Sequence, residues 1–328
     1  MSRVTTEAGE ALGRLRRARK ILLTGHRNPD GDCLGAALGL AELAAKLDVE
    51  AVIQNRDPAP SGLDELPGAG TVRVGADLPE DFPAAFDLVV TVECPGLDRT
   101  GFDGLHAVPI LNLDHHKANE RYGELNYLDE DSPAAGEMVW RMFTEAPVTP
   151  SADAATSLFA ALSTDTGDFR YSNATGRAFR AAAEMVEWGA RPEVVSELVH
   201  GRRREAAVRL LGEALRSLEI LADGRLALVQ VDPEAFRRAG AAAEDTESIV
   251  NVPRSIAGVE AVAFLKSVEP GSVRVSLRST GDVDVRSVAA GFGGGGHTNA
   301  AGCSVDGDVT AARDRLVPEL LKLLGAAS

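Results

Sequence analysis

The sequence predicts an α/β protein: an N-terminal domain with a mostly parallel sheet flanked by helices, a helical linker, and a smaller C-terminal α/β domain. Three observations carry this expectation. The first half alternates short apolar runs with segments of helical period. Residues 87–92 (D-L-V-V-T-V) form a continuous β-branched run, as expected of a strand buried on both faces. From Arg225 onward a second, shorter alternation begins, and 328 residues are too many for one ordinary core.

Along the chain, Ala11, Leu12, Leu15 and Ala18 share one face of an initial helix. Residues 20–24 (K-I-L-L-T) make a strand that ends at Gly25, and residues 34–47 have helical spacing rich in Ala and Leu. A strand follows at 50–53. Residues 57–83, dense in Pro and Gly, form loops around a weak strand at 71–74. After the 87–92 strand comes another at 109–113. Residues 152–163 form a helix with Ser151 as N-cap, and residues 176–188 form one that stops near Gly189. Residues 192–221 contain few breakers and are expected to be a long helical connection. Strands are expected at 226–231, 261–267 and 273–277, and helices around Phe236, around Ile249 and at 285–290. The boundaries are placed at 1–190 for the first domain, 191–222 for the connector and 223–328 for the second domain.

Charge narrows the partners. There are 34 Lys and Arg against 49 Asp and Glu, a net charge of −15, which repels long nucleic acid and argues against duplex DNA as a partner. A small anion held locally by metals is still compatible with it. No run of about 18 apolar residues predicts a membrane span, and the charged first twenty residues show no signal-peptide pattern. The cysteines, Cys33, Cys94 and Cys303, form no C-x-x-C pair, so a reduced, cytoplasmic location fits best.

Polar clusters stand where parallel sheets bind ligands, at the ends of strands. G-H-R-N-P-D-G-D, residues 25–32, follows the first strand and supplies His26, Asp30 and Asp32. In an extended loop the two aspartates would point to one side; the same residues could instead cap the following helix. Asp114, His115 and His116 follow the 109–113 strand, and T-D-T-G-D-F at 164–169 supplies Asp165. Imidazole and carboxylate together suit manganese, iron or zinc. A glycine-rich segment, residues 291–302, carries Gly295, Gly296, His297 and Asn299. Glycine lets backbone N–H groups approach and cradle an anion, although composition alone would also fit a flexible linker. Arg278 and Ser279 end a strand nearby in sequence, and an arginine there can grip phosphate bidentately. Arg254 is a weaker candidate. Arg202 to Arg204 fit a solvated helix face, Cys33 and Cys94 fit small buried residues, and His106 and His200 receive no role.

G-H-x-N-P-D-G-D, D-H-H and T-D-T-G-D-F in this order, with G-G-G-G-H-T-N-A-A-G further on, resemble the DHH phosphoesterases joined to a DHHA1 domain. That group includes oligoribonuclease/phosphoadenosine-phosphate phosphatases (nanoRNases) and cyclic-dinucleotide phosphodiesterases. The resemblance implies two divalent ions, with manganese the best choice. His26 and Asp30 would hold one ion, and Asp32, His115 and Asp165 the other. A bridging carboxylate is implied after the 87–92 strand. Similar proteins carry Asp there; this sequence has Glu93, whose extra methylene adds about 1.5 Å of reach, and it is read as the bridge. His116 would lie by the substrate phosphate or leaving oxygen, and Asp114 would orient the histidine pair. Arg278, Ser279, Gly295, Gly296, His297 and Asn299 would bind substrate in a cleft between the domains.

The implied activity is hydrolysis of short oligoribonucleotides and of 3′-phosphoadenosine 5′-phosphate by in-line attack of a metal-bridging hydroxide. Cyclic dinucleotides or pApA are the alternative substrates. A non-catalytic nucleotide or RNA-binding module would result if Glu93 spoiled the site. An inorganic pyrophosphatase is disfavoured by the glycine motif. A homodimer follows only by analogy.

Overall fold

The computed structural model describes residues 7–201, 204–246, 249–269 and 271–325. The chain forms two compact units, Met1–Arg202 and Arg203–Ser328.

The first unit is built on six parallel strands. These are β1 (Lys20–Thr24), β2 (Glu50–Asn55), β3 (Arg73–Val74), β4 (Leu88–Val92), β5 (Ile110–Asp114) and β6 (Leu125–Leu128). Their order in the sheet is β3-β2-β1-β4-β5-β6, with parallel pairing throughout. The chain therefore runs outward from β1 to β3, returns to lay β4 beside β1, and continues to the other edge. The strand order reverses between β1 and β4, and in such sheets ligands bind outside the carboxyl ends of the strands at that point.

Six helices accompany the sheet: α1 (Ala8–Leu15), α2 (Gly31–Lys46), α3 (Ala135–Glu145), α4 (Ala152–Asp165), α5 (Gly176–Glu187) and α6 (Pro192–Ser196). Alternation along the strands divides the core in two. Ile21, Leu23, Leu88, Val90, Val92, Leu111 and Leu113 pack with residues of all six helices. Leu22, Val52, Val89 and Ile110 face the other way, against Phe86, Phe102, Leu105 and Val108 from loops and short 3-10 turns. β4 is buried at every position, as its unbroken apolar run requires. Ser151 caps α4 by accepting from Ala154 N at 3.2 Å.

The sequence pattern left β6 and α3 unassigned. Leu125–Leu128 is a short strand of mixed polarity, and α3 opens on Ala-Gly rather than on a capping side chain. The expected long helix at 192–221 also differs. α6 is followed by a single π-helical stretch, Glu197–Gly201, and after α7 (Glu205–Arg216) the chain becomes strand β7 (Glu219–Leu221). β7 is drawn out of helical form by pairing with β8.

The second unit continues with β8 (Leu226–Val231), α8 (Pro233–Ala239), α9 (Asn251–Arg254), β9 (Ala261–Lys266) and β10 (Ser272–Ser279). It ends with α10 (Val285–Gly291), β11 (Gly295–His297), β12 (Ala300–Asp306) and α11 (Val309–Leu323). Ile249 lies in a turn just before α9, not on a helix. The sheet order is β11-β12-β10-β9-β8-β7, with only β8 and β9 parallel. Two clusters fill this unit, one beneath α10 and α11 and one beneath α7 and α8. No helix among the described residues is long and apolar enough to cross a membrane.

Candidate metal centre

Three strand ends and two helix ends deliver the predicted side chains to one place. His26 lies just beyond β1, Glu93 just beyond β4, and His115 just beyond β5, on three neighbouring strands. The aspartates do not share an extended loop. Asp30 is the N-cap of α2, its Oδ1 accepting from Cys33 N at 3.0 Å, and Asp32 lies in the first turn of that helix. Capping and a place in the site are thus compatible for Asp30, because a carboxylate has lone pairs to spare. Asp165 is the last residue of α4.

Glu93 joins the parts. It is 3% exposed, and its two oxygens diverge: Oε2 lies 3.3 Å from His26 Nε2 and Oε1 lies 3.4 Å from His115 Nε2. His26 Nε2 is also 3.8 Å from Asp30 Oδ1. His115 Nε2 is 3.6 Å from Asp32 Oδ2 and 3.8 Å from Asp165 Oδ2. Two groups therefore form, His26–Asp30–Glu93 and Asp32–His115–Asp165, and within each the ligand atoms lie within 4.8 Å of one another. Glu93 forms a third such group with His115 and His116.

The imidazoles are fixed from behind. His26 Nδ1 lies 2.8 Å from Arg27 O, and His115 Nδ1 lies 3.1 Å from Ser132 O. With Nδ1–H donated to a carbonyl, each Nε2 lone pair is turned toward the carboxylates, the tautomer that a metal ligand needs. His116 Nδ1 lies 2.8 Å from Asp114 Oδ1, and Asp114, fully buried, also accepts from Asn119 Nδ2 at 2.6 Å. Asn119 and Tyr122 continue this bracing. Asn119 Oδ1 accepts from Asn112 Nδ2 at 2.9 Å, and the Tyr122 hydroxyl donates to Thr91 Oγ1 at 2.8 Å. Neither residue stood out in the sequence; Asn119, three residues past the D-H-H motif, carried the only local hint.

The electrostatics describe a centre short of positive charge. Burial opposes protonation of His26, yet hydrogen bonds to Asp30 and Glu93 outweigh it and raise the imidazole to about 10. His115 is raised to about 10 in the same way, against burial, by Glu93, Asp32 and Asp165. Burial, followed by repulsion from Glu93, pushes Asp165 up to about 6 and Asp32 well above the usual carboxylate range. His26 outweighs burial at Asp30 and holds it near 2. Four carboxylates gather around two imidazoles, burial drives Asp32 and Asp165 toward protonation, and two divalent cations would offset the crowded negative charge. The donor set fits such ions: each group offers one imidazole nitrogen and carboxylate oxygens, with Glu93 able to serve both. Cys33 and Cys94 are buried and belong to none of these groups.

The remaining predicted residues lie in the second unit. The glycine segment is no linker, since β11 pairs antiparallel with β12. Gly296 (φ 138) faces Ala300 O so closely that a Cβ would overlap it, whereas Gly295 has open space beside it. Ser279 is 3% exposed; its hydroxyl donates to Val283 O at 2.6 Å and accepts from Asn299 Nδ2 at 2.9 Å. These two residues therefore lace the turn together, and neither donor is turned outward. Arg278 sits on β10 opposite Ala300 of β12, two positions along the same sheet from β11. The His297 side chain lies outside the described structure.

The parallel α/β fold thus carries, at its strand ends, a histidine–carboxylate cluster consistent with a metal site. Residues 20–162 match the DHH family, N-terminal domain, and residues 224–326 match the DHHA1 domain. The chain belongs to the DHH family of phosphoesterases and carries a DHHA1 domain. It is 32% identical over 302 residues to the "Bifunctional oligoribonuclease and PAP phosphatase NrnA" of Thermus thermophilus, covering 90% of this chain and 88% of that protein. It is 25% identical over 297 residues to the protein of the same description from Bacillus subtilis, covering 87% and 89%. A crystal structure of an exopolyphosphatase-related protein from Bacteroides fragilis superposes with TM-score 0.88 and 25% identity, over 96% of this chain and 95% of that one.

Proposed function

We propose that this phosphoesterase hydrolyses short oligoribonucleotides and 3′-phosphoadenosine 5′-phosphate, using two divalent ions, preferably manganese. The observation that carries the reading is the divided environment of Glu93, one oxygen toward each histidine-centred group. The substrate class comes from the relatives described as oligoribonuclease and PAP phosphatase. In this reading His26, Asp30 and Glu93 hold one ion, and Asp32, His115, Asp165 and Glu93 hold the other. Such ions supply Lewis-acid neutralisation of the phosphoryl oxygens and acidification of the attacking water.

The chain's own residues do the rest. His116, with a side chain 41% exposed, is open to substrate where its two neighbours are not. Its hydrogen bond to Asp114 raises its pKa, a shift toward the protonated form that fits it to deliver a proton to the leaving oxygen. Arg278 and the segment carrying Gly295, Gly296 and His297 would grip the far phosphate or the nucleotide. Ser279 and Asn299 would hold that segment in shape.

The test is a screen of pApA, 3′-phosphoadenosine 5′-phosphate, a five-nucleotide RNA, cyclic dinucleotides and pyrophosphate, ranked by kcat/KM with manganese and again with chelator. Manganese-dependent turnover led by the short RNA and the nucleotide is expected. Preference for cyclic dinucleotides or pyrophosphate would replace the substrate assignment. Absence of turnover on every substrate would leave only a nucleotide-binding module.

A further inference from the structure

One short segment, residues 132–137, touches two members of one candidate ion group, His115 and Asp32, and is tied to the third, Asp165, through Asn173. Ser132 O takes the hydrogen bond from His115 Nδ1 at 3.1 Å. Ala135 N and Gly136 N, at the start of α3, donate to the two oxygens of Asp32 at 2.6 and 2.8 Å. Asn173 Nδ2 donates both to Pro133 O at 3.1 Å and to Asp165 O at 3.2 Å, tying the segment to the end of α4. Among the described residues, these hydrogen bonds reach Asp32, His115 and Asp165 but not His26 or Asp30.

The segment is itself clamped. Glu137 is fully buried, and its carboxylate accepts from Ser132 Oγ at 2.7 Å. Arg177, on α5, grips the same carboxylate with both arms of its fork, Nε at 2.8 Å and Nη2 at 2.7 Å. Arg177 Nη2 also reaches Asp129 Oδ2 at 2.6 Å, to which Arg141 Nη2 is paired at 2.8 Å. A buried ion pair of this kind adds little net stability over an apolar replacement, but its bidentate geometry fixes position. Here the position fixed is that of the carbonyl and amide groups that aim His115 and Asp32.

We propose that Glu137 and Arg177 are positioning residues: through residues 132–136 they set the ion affinity of the Asp32–His115–Asp165 group and leave the His26–Asp30–Glu93 group unaffected. This rests on the metal-centre reading above. The test is a manganese titration of the full chain, followed by calorimetry and by the electron paramagnetic resonance of free ion, for the wild type, Arg177→Gln, Arg177→Lys and Asn173→Ala. For Arg177→Gln, one of two affinities should fall about 10–100-fold, the loss typical of partners that orient ligands, with the other unmoved. Arg177→Lys, which keeps the charge but not the fork, should recover part of the loss. The kcat deficit should vanish at high manganese with substrate KM unchanged, and the split between the two affinities is the readout that a general loss of stability would not produce.

Wild-type affinities at both sites in a folded variant would overturn the proposal, as would an equal fall at both. If circular dichroism shows Arg177→Gln unfolded, Asn173→Ala decides by the same criteria, since it removes a tie without stranding a buried charge. A wild type that binds no ion would instead overturn the metal-centre reading itself.

Discussion

Glu93 occupies a left-handed backbone position, φ 58, one residue past the end of β4, where a side chain with Cβ is uncommon. Its backbone N–H is still bound to Leu113 O at 2.9 Å, so the sheet holds the residue while the turn throws its side chain between His26 and His115. Glu93→Gln should therefore lower kcat/KM by more than the roughly 10–100-fold that removal of an orienting partner costs, because both groups lose a shared charge; a manganese-saturated assay with pApA checks this. The raised imidazoles give a pH prediction for the same place. His26 and His115 rise from 6.5 to about 10 without metal, so their contribution to stability is full below about pH 6.5 and is lost as pH approaches 10. Removing those protons costs manganese less as the pH rises toward 10, so the rise in Tm on adding manganese should be larger at pH 8.5 than at pH 6.5. A constant rise would show that these imidazoles do not meet the ion. In the second unit, Arg278→Ala or His297→Ala should raise KM with kcat little changed. A loss confined to kcat would move these residues out of substrate binding.

At the scale of elements, the meeting of α2 with α4 decides whether the centre exists. Gly31, Gly35 and Gly39 recur every fourth residue along α2, and a Cβ at these positions would collide with Thr164, with Ser157 O and with Leu158 of α4. The two helices can thus approach closely, which sets Asp165 at the end of α4 beside Asp32 at the start of α2. Gly35 faces backbone, which cannot swing aside. Gly35→Ala should cost about 1–3 kcal/mol by overpacking, a fall in Tm of roughly 2–4 °C per kcal/mol for a unit of this size. It should also weaken manganese binding, read by thermal melting with and without the ion. An unchanged Tm would mean that the helices part without penalty. Helical spacing located both helices in the sequence. Which face of one met the other was not legible there, because the glycine stripe has meaning only against its partner.

At the scale of the whole molecule, two units with separate cores divide the work. Every candidate ion ligand lies in the first unit, and its cores share no residue with those of the second. Scanning calorimetry should therefore show manganese and chelator shifting the transition of the N-terminal unit and leaving that of the C-terminal unit in place. A common shift of both would mean that they unfold as one.

The sequence by itself determined the central strands of the first sheet, β1, β4 and β5, because an apolar run buried on both faces is written in consecutive residues. It also offered a candidate ligand set, His26, Asp30, Asp32, Glu93, His115 and Asp165, at strand and helix ends. Only the tertiary structure decided what orients that set. Ser132, Glu137, Asn173 and Arg177 are ordinary polar residues in sequence, and their role arises from contacts up to 48 positions apart that no local period encodes. It also showed Ser279 and Asn299 bonded to one another across twenty positions. A hydrogen bond between distant segments depends on how helices and strands pack, and packing is the part of the fold that spacing along the chain does not specify.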